Sequence, residues 1–249
     1  MSFIKKLIAY PLSVLYHLCF GLVLLIFHPI QWVAFTIFGY QAHKKTVDYL
    51  NFFLTCCLYI VGTRITFSNQ KNLPKGVPLI FVSNHQGLND IPPMIWYLRK
   101  SHPKFVSKIE LGKGIPSVSY NLRHGGAVLI DRKDPKQAIS ALMKFGKYLE
   151  KNKRSAVIFP EGTRSRNGVP KRFSENGLKM MVKYAPSSYI VPITVNNSWQ
   201  LEKNGKFPLT VGVHLQFDVH EPIKSDALPF PELLAKTEKI IKDSIILPS

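Results

Sequence analysis

The sequence predicts an α/β fold, a mixed and largely parallel sheet flanked by helices, preceded by an apolar helical segment that anchors the chain to a membrane. Two observations carry the prediction. Behind about residue 64, short β-branched and aromatic runs alternate with longer stretches of helical period, the order that lays helices over a sheet. Ahead of them, no Asp, Glu, Lys or Arg stands between Lys6 and Lys44, a gap of 37 residues that a soluble surface does not sustain. The 249 residues therefore divide into an anchoring segment, 1–63, and a folded domain, 64–249.

Within the anchor, residues 7–28 would form a helix of about 33 Å, enough for a hydrocarbon core of about 30 Å. Pro29 interrupts the run, and residues 30–43 are too short for an unaided return across the bilayer. The basic pairs Lys5-Lys6 and Lys44-Lys45 are both drawn to one face of the membrane, which a shallow helical hairpin satisfies and a single span does not. Residues 49–62 form another apolar stretch, expected to lie in the interface or to cover the folded domain. A cleaved signal peptide fits poorly, because the apolar region is too long and no small-x-small site follows it promptly.

In the folded domain, residues 64–67, 79–83, 127–130, 156–159, 190–195 and 213–219 read as strands. Residues 135–152 read as a helix, with Ala138, Leu142, Phe145 and Leu149 on one face. Asp134 supplies a capping acceptor, and Pro135 loses nothing at the first helical position. A second helix is expected to begin near Ser174 and a last one to run over residues 231–246.

Charge and cysteine use narrow the function classes. Residues 1–70 carry five cations against Asp48, so +14 of the formal +18 falls on the rest of the chain, an excess that seeks anionic partners. Nucleic acid is disfavoured as that partner, because the basic residues are scattered without a binding motif and the charge-free front has no place in such a module. Cys19, Cys56 and Cys57 all lie in the front segment, so the folded domain holds no cysteine nucleophile and no Cys-ligated zinc. His102, His124, His214 and His220 lack metal-ligand spacing, and no metal is expected.

Two strand-end motifs carry the chemistry. The first, Asn84-His85-Gln86-Gly87-Leu88-Asn89-Asp90, offers a histidine as base and a carboxylate to orient it. On an ideal helix the five-residue offset sets the pair about 140° apart; a loop turning into a helix, with Gly87 giving slack, would bring them together. The second, Phe159-Pro160-Glu161-Gly162-Thr163-Arg164-Ser165, offers a glycine turn and a guanidinium suited to phosphate oxygens, while the role of Glu161 stays open. A hydrolase using water or Ser83 is compatible with the first motif alone, but the Gly-x-Ser-x-Gly elbow of such enzymes is absent.

Both motifs resemble those of the glycerolipid acyltransferases, the first matching Asn-His-x4-Asp and the second matching Phe-Pro-Glu-Gly-Thr-Arg-Ser without a mismatch. Two further blocks follow the family's order. Residues 126–132 are similar to Gly-x-x-Phe-Ile-x-Arg with Leu129 in place of phenylalanine, and residues 190–193 to a proline-bearing block. The likeness covers about residues 64–220 and is strongest to the lysophosphatidic acid acyltransferases. It implies the glycerolipid acyltransferase fold and acyl transfer from acyl-CoA or acyl carrier protein to the sn-2 hydroxyl of 1-acyl-sn-glycerol 3-phosphate, with glycerol 3-phosphate or another lysophospholipid as alternative acceptor. It implies no cofactor. By that likeness His85 is the base and Asp90 its orienter; Lys108, Arg132, Glu161, Gly162, Thr163 and Arg164 belong to the phosphate site; Pro192 shapes the acyl-donor region; and the Asn84 turn supplies oxyanion donors. Such an enzyme would sit at the bilayer with its active site facing the cytoplasm.

Overall fold

The computed structural model describes residues 3–69 and 73–246. The chain opens with one long helical element, α1 (Phe3–Ile60), followed by β1 (Arg64–Ser68), β2 (Leu79–Ser83), α2 (Ile91–Tyr97), β3 (Pro103–Lys108), α3 (Val118–His124) and β4 (Val128–Ile130). Then come α4 (Pro135–Asn152), β5 (Ser155–Ile158), α5 (Glu175–Tyr184), β6 (Tyr189–Asn196), β7 (His214–Val219), β8 (Ile223–Lys224) and α6 (Phe230–Asp243).

The expected fold class is what the chain adopts. Among the described residues the sheet has eight strands in the order β1-β7-β6-β2-β5-β3-β4, with β8 also on β6. Only the pairings of β6 with β7 and with β8 are antiparallel; the others are parallel. β2 is buried on both faces, as a central parallel strand must be. Its alternate residues feed two cores: Leu79 and Phe81 pack with α1 and α2, while Ile80 and Val82 pack with α4, α5 and α6.

The N-terminal segment, expected to be a membrane anchor, differs from its expected outline. Pro11 and Pro29 both lie within α1, and the break falls at Gly39, whose φ of +76° and ψ of −170° leave the helical region. Lys44-Lys45 thus stand just past the bend, at the opposite end of the first arm from Lys5-Lys6, and not beside them as the expected hairpin requires. The two arms fold back on each other: His43 Nε2 lies 3.1 Å from Gln31 Oε1, and the Phe27 and Phe53 rings stand 5.8 Å apart. The return arm thus runs on to Ile60 and absorbs the stretch 49–62, whose Leu50, Leu54, Leu58 and Val61 are buried against the domain. The outer face of the first arm leaves Leu18, Leu22, Leu25 and Ile26 exposed. Its inner face is tied to the domain by polar contacts, in which Tyr16 donates to Asn89 Oδ1 at 2.9 Å and Ser117 Oγ donates to the Leu24 carbonyl at 2.6 Å.

Several elements follow their sequence signals closely. α4 spans the residues its periodicity predicts, and the Asp134 carboxylate accepts from the amides of Lys136 and Gln137, both at 3.0 Å. α5 starts directly behind Ser174, and α6 runs from Phe230 to Asp243. β3 was not among the expected strands, because Pro103 and two lysines interrupt the apolar signal of its six residues.

Candidate active site

Strand register brings the two motifs together. β2 and β5 are parallel neighbours with Ile80 beside Ala156 and Val82 beside Ile158, so the loops leaving them start side by side. Those loops are then knitted by main-chain bonds. The Ser165 amide donates to the His85 carbonyl at 2.7 Å, and the His85 amide donates to Glu161 Oε1 at 2.8 Å. One strand farther out, Lys108 sits beside Ile130, which brings it to the sheet edge from which Arg132 follows.

At the centre, His85 Nδ1 lies 2.7 Å from Asp90 Oδ2. The loop makes this possible by an extended Gly87 followed by a 3-10 turn over Leu88–Asp90, in place of a regular helix. The glycine at residue 87 lets the loop pass close to Ser198, whose Oγ would stand 2.8 Å from a Cβ there. Asp90 Oδ2 also accepts from the amides of Gln86 and Gly87, at 2.8 and 2.9 Å, so three donors fix this fully buried carboxylate. An ionised carboxylate only accepts, so the bond places the imidazole hydrogen on Nδ1 and leaves a lone pair on Nε2. The ring stacks on Phe159 at 4.2 Å, which fixes its plane.

Six of the residues read from sequence line one cavity of about 1320 Å³: His85, Lys108, Arg132, Gly162, Thr163 and Arg164. Arg132 donates to the Gly162 carbonyl, tying its strand end to the second motif. Arg164 Nη1 lies 3.9 Å from Glu202 Oε2, a loose pair that leaves the guanidinium available. Gly162 closes a turn by donating to the Phe159 carbonyl at 3.0 Å, and its φ of +70° explains the glycine there. No protein atom lies within 4 Å of where its Cβ would stand, so that side of the turn is open.

Three residues are placed elsewhere. Glu161, grouped with the phosphate residues, is buried and spends its carboxylate on main-chain donors, Oε1 on His85 and Oε2 on the Lys171 amide at 2.8 Å; burial raises its pKa above the usual carboxylate range. It holds the loops and does not face the cavity. The turn at Asn84, expected to supply backbone oxyanion donors, has its amides committed, that of His85 to Glu161 and those of Gln86 and Gly87 to Asp90; the Asn84 side chain is consumed by Val195, donating to its carbonyl at 2.8 Å and accepting from its amide at 2.7 Å. Pro192 lies inside the sheet beside Val82 and away from the cavity, at the point on β6 where β8 gives way to β7, so its missing N–H costs no ladder bond.

Sequence reasoning passed over two residues here. Lys171 lines the cavity and donates to Thr163 Oγ1 at 2.6 Å, and Phe159 supplies the face under His85. For Phe159 the signal was its place at a strand end beside the histidine loop; Lys171 carries none beyond its charge.

The sequence profile of the family described as Acyltransferase matches residues 64–196. A chloroplastic 1-acyl-sn-glycerol-3-phosphate acyltransferase of Arabidopsis thaliana is 30% identical over 169 residues, covering 66% of this chain and 46% of that protein. One of Helicobacter pylori is 35% identical over 155 residues, covering 59% and 62%. This chain thus spans roughly half to three fifths of the length of such relatives. The crystal structure of the 1-acyl-sn-glycerophosphate acyltransferase of Thermotoga maritima shares the fold, with a TM-score of 0.77 at 21% identity over 96% of this chain and 94% of that one. With its profile match spanning more than half of its length and both motifs converged at one cavity, the chain belongs to the acyltransferase family.

Proposed function

We propose that this protein is a 1-acyl-sn-glycerol-3-phosphate O-acyltransferase, moving an acyl group from acyl-CoA or acyl carrier protein to the sn-2 hydroxyl and yielding phosphatidic acid for phospholipid synthesis. The observation that carries the reading is that the His85–Asp90 pair opens onto the cavity also lined by Lys108, Arg132 and Arg164. Relatives named for this activity support the same choice of acceptor.

In this reading the cations hold the acceptor phosphate while His85 Nε2 takes the hydroxyl proton as that oxygen attacks the thioester carbonyl. The C–S bond of the tetrahedral intermediate then breaks, the thiolate leaves and takes up a proton, and the ester remains. Asp90 orients the ring and stabilises the imidazolium formed in passing. Neither a metal nor a bound cofactor enters these steps.

The anchor gives the reaction its place. Residues 1–63 hold the catalytic portion, 64–249, at the bilayer where acceptor and product reside, with the site on the cytoplasmic side. Incubation with labelled acyl thioester and lysophosphatidic acid tests the whole reading. Label in phosphatidic acid is the expected result; label found only as free fatty acid would make the protein a hydrolase and overturn it.

A further inference from the structure

The cavity has a second polar end, remote from His85. Lys108 and Lys104 both line it, with three residues of extended strand between them and their Cα atoms about 13 Å apart. Lys104 is only 7% exposed. Its Nζ has no hydrogen-bond or ion-pair partner among the described residues and lies 5.1 Å from the centre of the Tyr40 ring.

Its surroundings sharpen the imbalance. Arg154 donates to His102 Nδ1 at 2.9 Å, and its own Nε is buried without a partner. Lys44 already holds Asp48, the nearby carboxylate, at 2.5 Å. A buried ammonium short of a counter-charge is costly, and an entering anion would offset that cost. Val106 stands between the two lysines on β3, and Leu122, Ile130 and Leu142 are among the apolar side chains that make up most of the cavity's walls. An aliphatic chain fits those walls, and a carboxylate fits their end.

We propose that the Lys104 end of the cavity is an anion subsite that takes the carboxylate of an aliphatic chain lying along it. Two sources share this chemistry. A free fatty acid would lie with its carboxylate at Lys104 and its chain toward His85, competing with the acyl donor. A donor whose acyl chain bears a second, distal carboxylate would place that group at Lys104 and its thioester at His85. The inference rests on the acyltransferase reading for the identity of the cavity.

The test uses the full chain in detergent micelles, with Lys104→Met and Lys104→Gln beside the wild type. In one arm, saturated carboxylates of 8 to 18 carbons are compared as inhibitors with primary alcohols of equal length. In the other, ω-carboxyacyl-CoA donors are compared with plain acyl-CoA of equal length. The expected result is a preference of at least 10-fold for the carboxylate in one arm, at one or more lengths, that both variants lose; the arm in which it occurs identifies the source. The absence of such a preference in both arms, or its persistence in the variants, overturns the proposal. So does a variant that weakens lysophosphatidic acid binding while carboxylates stay inert, which would give the subsite to phosphate. Methionine keeps the volume and removes the charge, and thermal unfolding reports whether each variant is folded. If the wild type transfers no plain acyl group, the acyltransferase reading fails instead, and displacement of a fluorescent fatty acid from wild type and variants still decides the subsite.

Discussion

The main-chain amide of His85 donates to Glu161 Oε1 at 2.8 Å, so a residue of the second motif fixes the backbone of the first across 76 positions of sequence. The other oxygen of the same carboxylate holds Lys171, which makes Glu161 a clamp between the histidine loop and the loop that closes the cavity. Glu161→Ala removes both bonds and is expected to lower kcat at least 10-fold and to lower the melting temperature as well, since hydrogen bonds to charged groups each contribute about 1.5 to 3 kcal/mol. Glu161→Gln keeps the volume but sets an NH2 group against one of two N–H donors, and should fall between. A Glu161→Ala enzyme with wild-type kcat would refute the clamp.

His85→Ala is expected to reduce turnover by about 10²- to 10⁴-fold, the range of general-base assistance, with circular dichroism unchanged. Asp90→Asn tests the charge of the orienting group separately. The amide can turn its carbonyl oxygen to the three donors and its NH2 to the unpartnered Oδ1 position, so the bonds remain while the negative charge that stabilises the imidazolium is lost and a buried NH2 is left without an acceptor. The expected outcome is a loss of kcat together with a lower melting temperature, whereas His85→Ala lowers kcat alone.

Much of this was legible before the structure. Strands β2 and β5 announced themselves because a strand buried on both faces must be apolar throughout, and α4 because Asp134 and Pro135 mark its start. The His85–Asp90 pair was legible as chemistry but not as geometry, since the turn that joins them depends on Gly87 passing close to Ser198, 111 residues away. The role of Glu161 stayed open, and only the resemblance grouped it with the phosphate residues, because its partners are main-chain amides, which sequence does not display. β3 was missed because its lysines line a cavity, where charge is tolerated within a sheet. The break in α1 was expected at Pro29, yet a helix bordered by other groups tolerates a proline, and Gly39 bends it instead.

Arg164 and Arg132 divide binding from stability. The 3.9 Å pair with Glu202 is partly exposed and contributes at most about 1 kcal/mol, so Arg164→Ala should leave the melting temperature nearly unchanged while raising KM for the phosphate-bearing acceptor about 10-fold or more. Arg132→Ala also loses its bond to the Gly162 carbonyl and should lower kcat in addition. Steady-state kinetics with the acceptor varied at saturating donor separate the two; a KM unchanged in both variants would remove the phosphate assignment.

The basic cluster away from His85 makes stability depend on pH in two windows. Burial, reinforced by the charges of Lys104, Arg154 and Lys44, lowers the His102 pKa from an ordinary 6.5 to about 3. Between these values the unfolded chain takes up a proton that the folded one refuses, so stability falls as pH drops below about 6.5. Burial, then Arg154 and Lys44, lowers Lys104 from 10.5 to about 7. Between those values the unfolded chain again holds the extra proton, so stability rises with pH from about 7 toward 10.5. Urea midpoints against pH should show both slopes in the wild type, the upper one absent in Lys104→Met and the lower one reduced in His102→Asn but not abolished, because burial lowers His43 and His220 from the same ordinary value. A wild-type profile flat from pH 7 to 10 would contradict the account of Lys104.

Membrane attachment is tested on the outer face of the first arm, where Leu22 and Leu25 are 55% and 58% exposed and so add little to packing. Burying a leucine side chain is worth about 1.5 to 3 kcal/mol, so two of them contribute about 3 to 6 kcal/mol to partition into a bilayer. Replacing both by glutamate should weaken binding to vesicles of phosphatidylglycerol and phosphatidylethanolamine by 100-fold or more. Unfolding in detergent should be unaffected, because neither side chain lies in the core. Activity toward acceptor in vesicles would then fall while activity toward acceptor in detergent micelles survives, which distinguishes loss of the surface from damage to the site. Equal losses in both formats would mean that the arm matters for the fold of the site and not for its delivery to the bilayer.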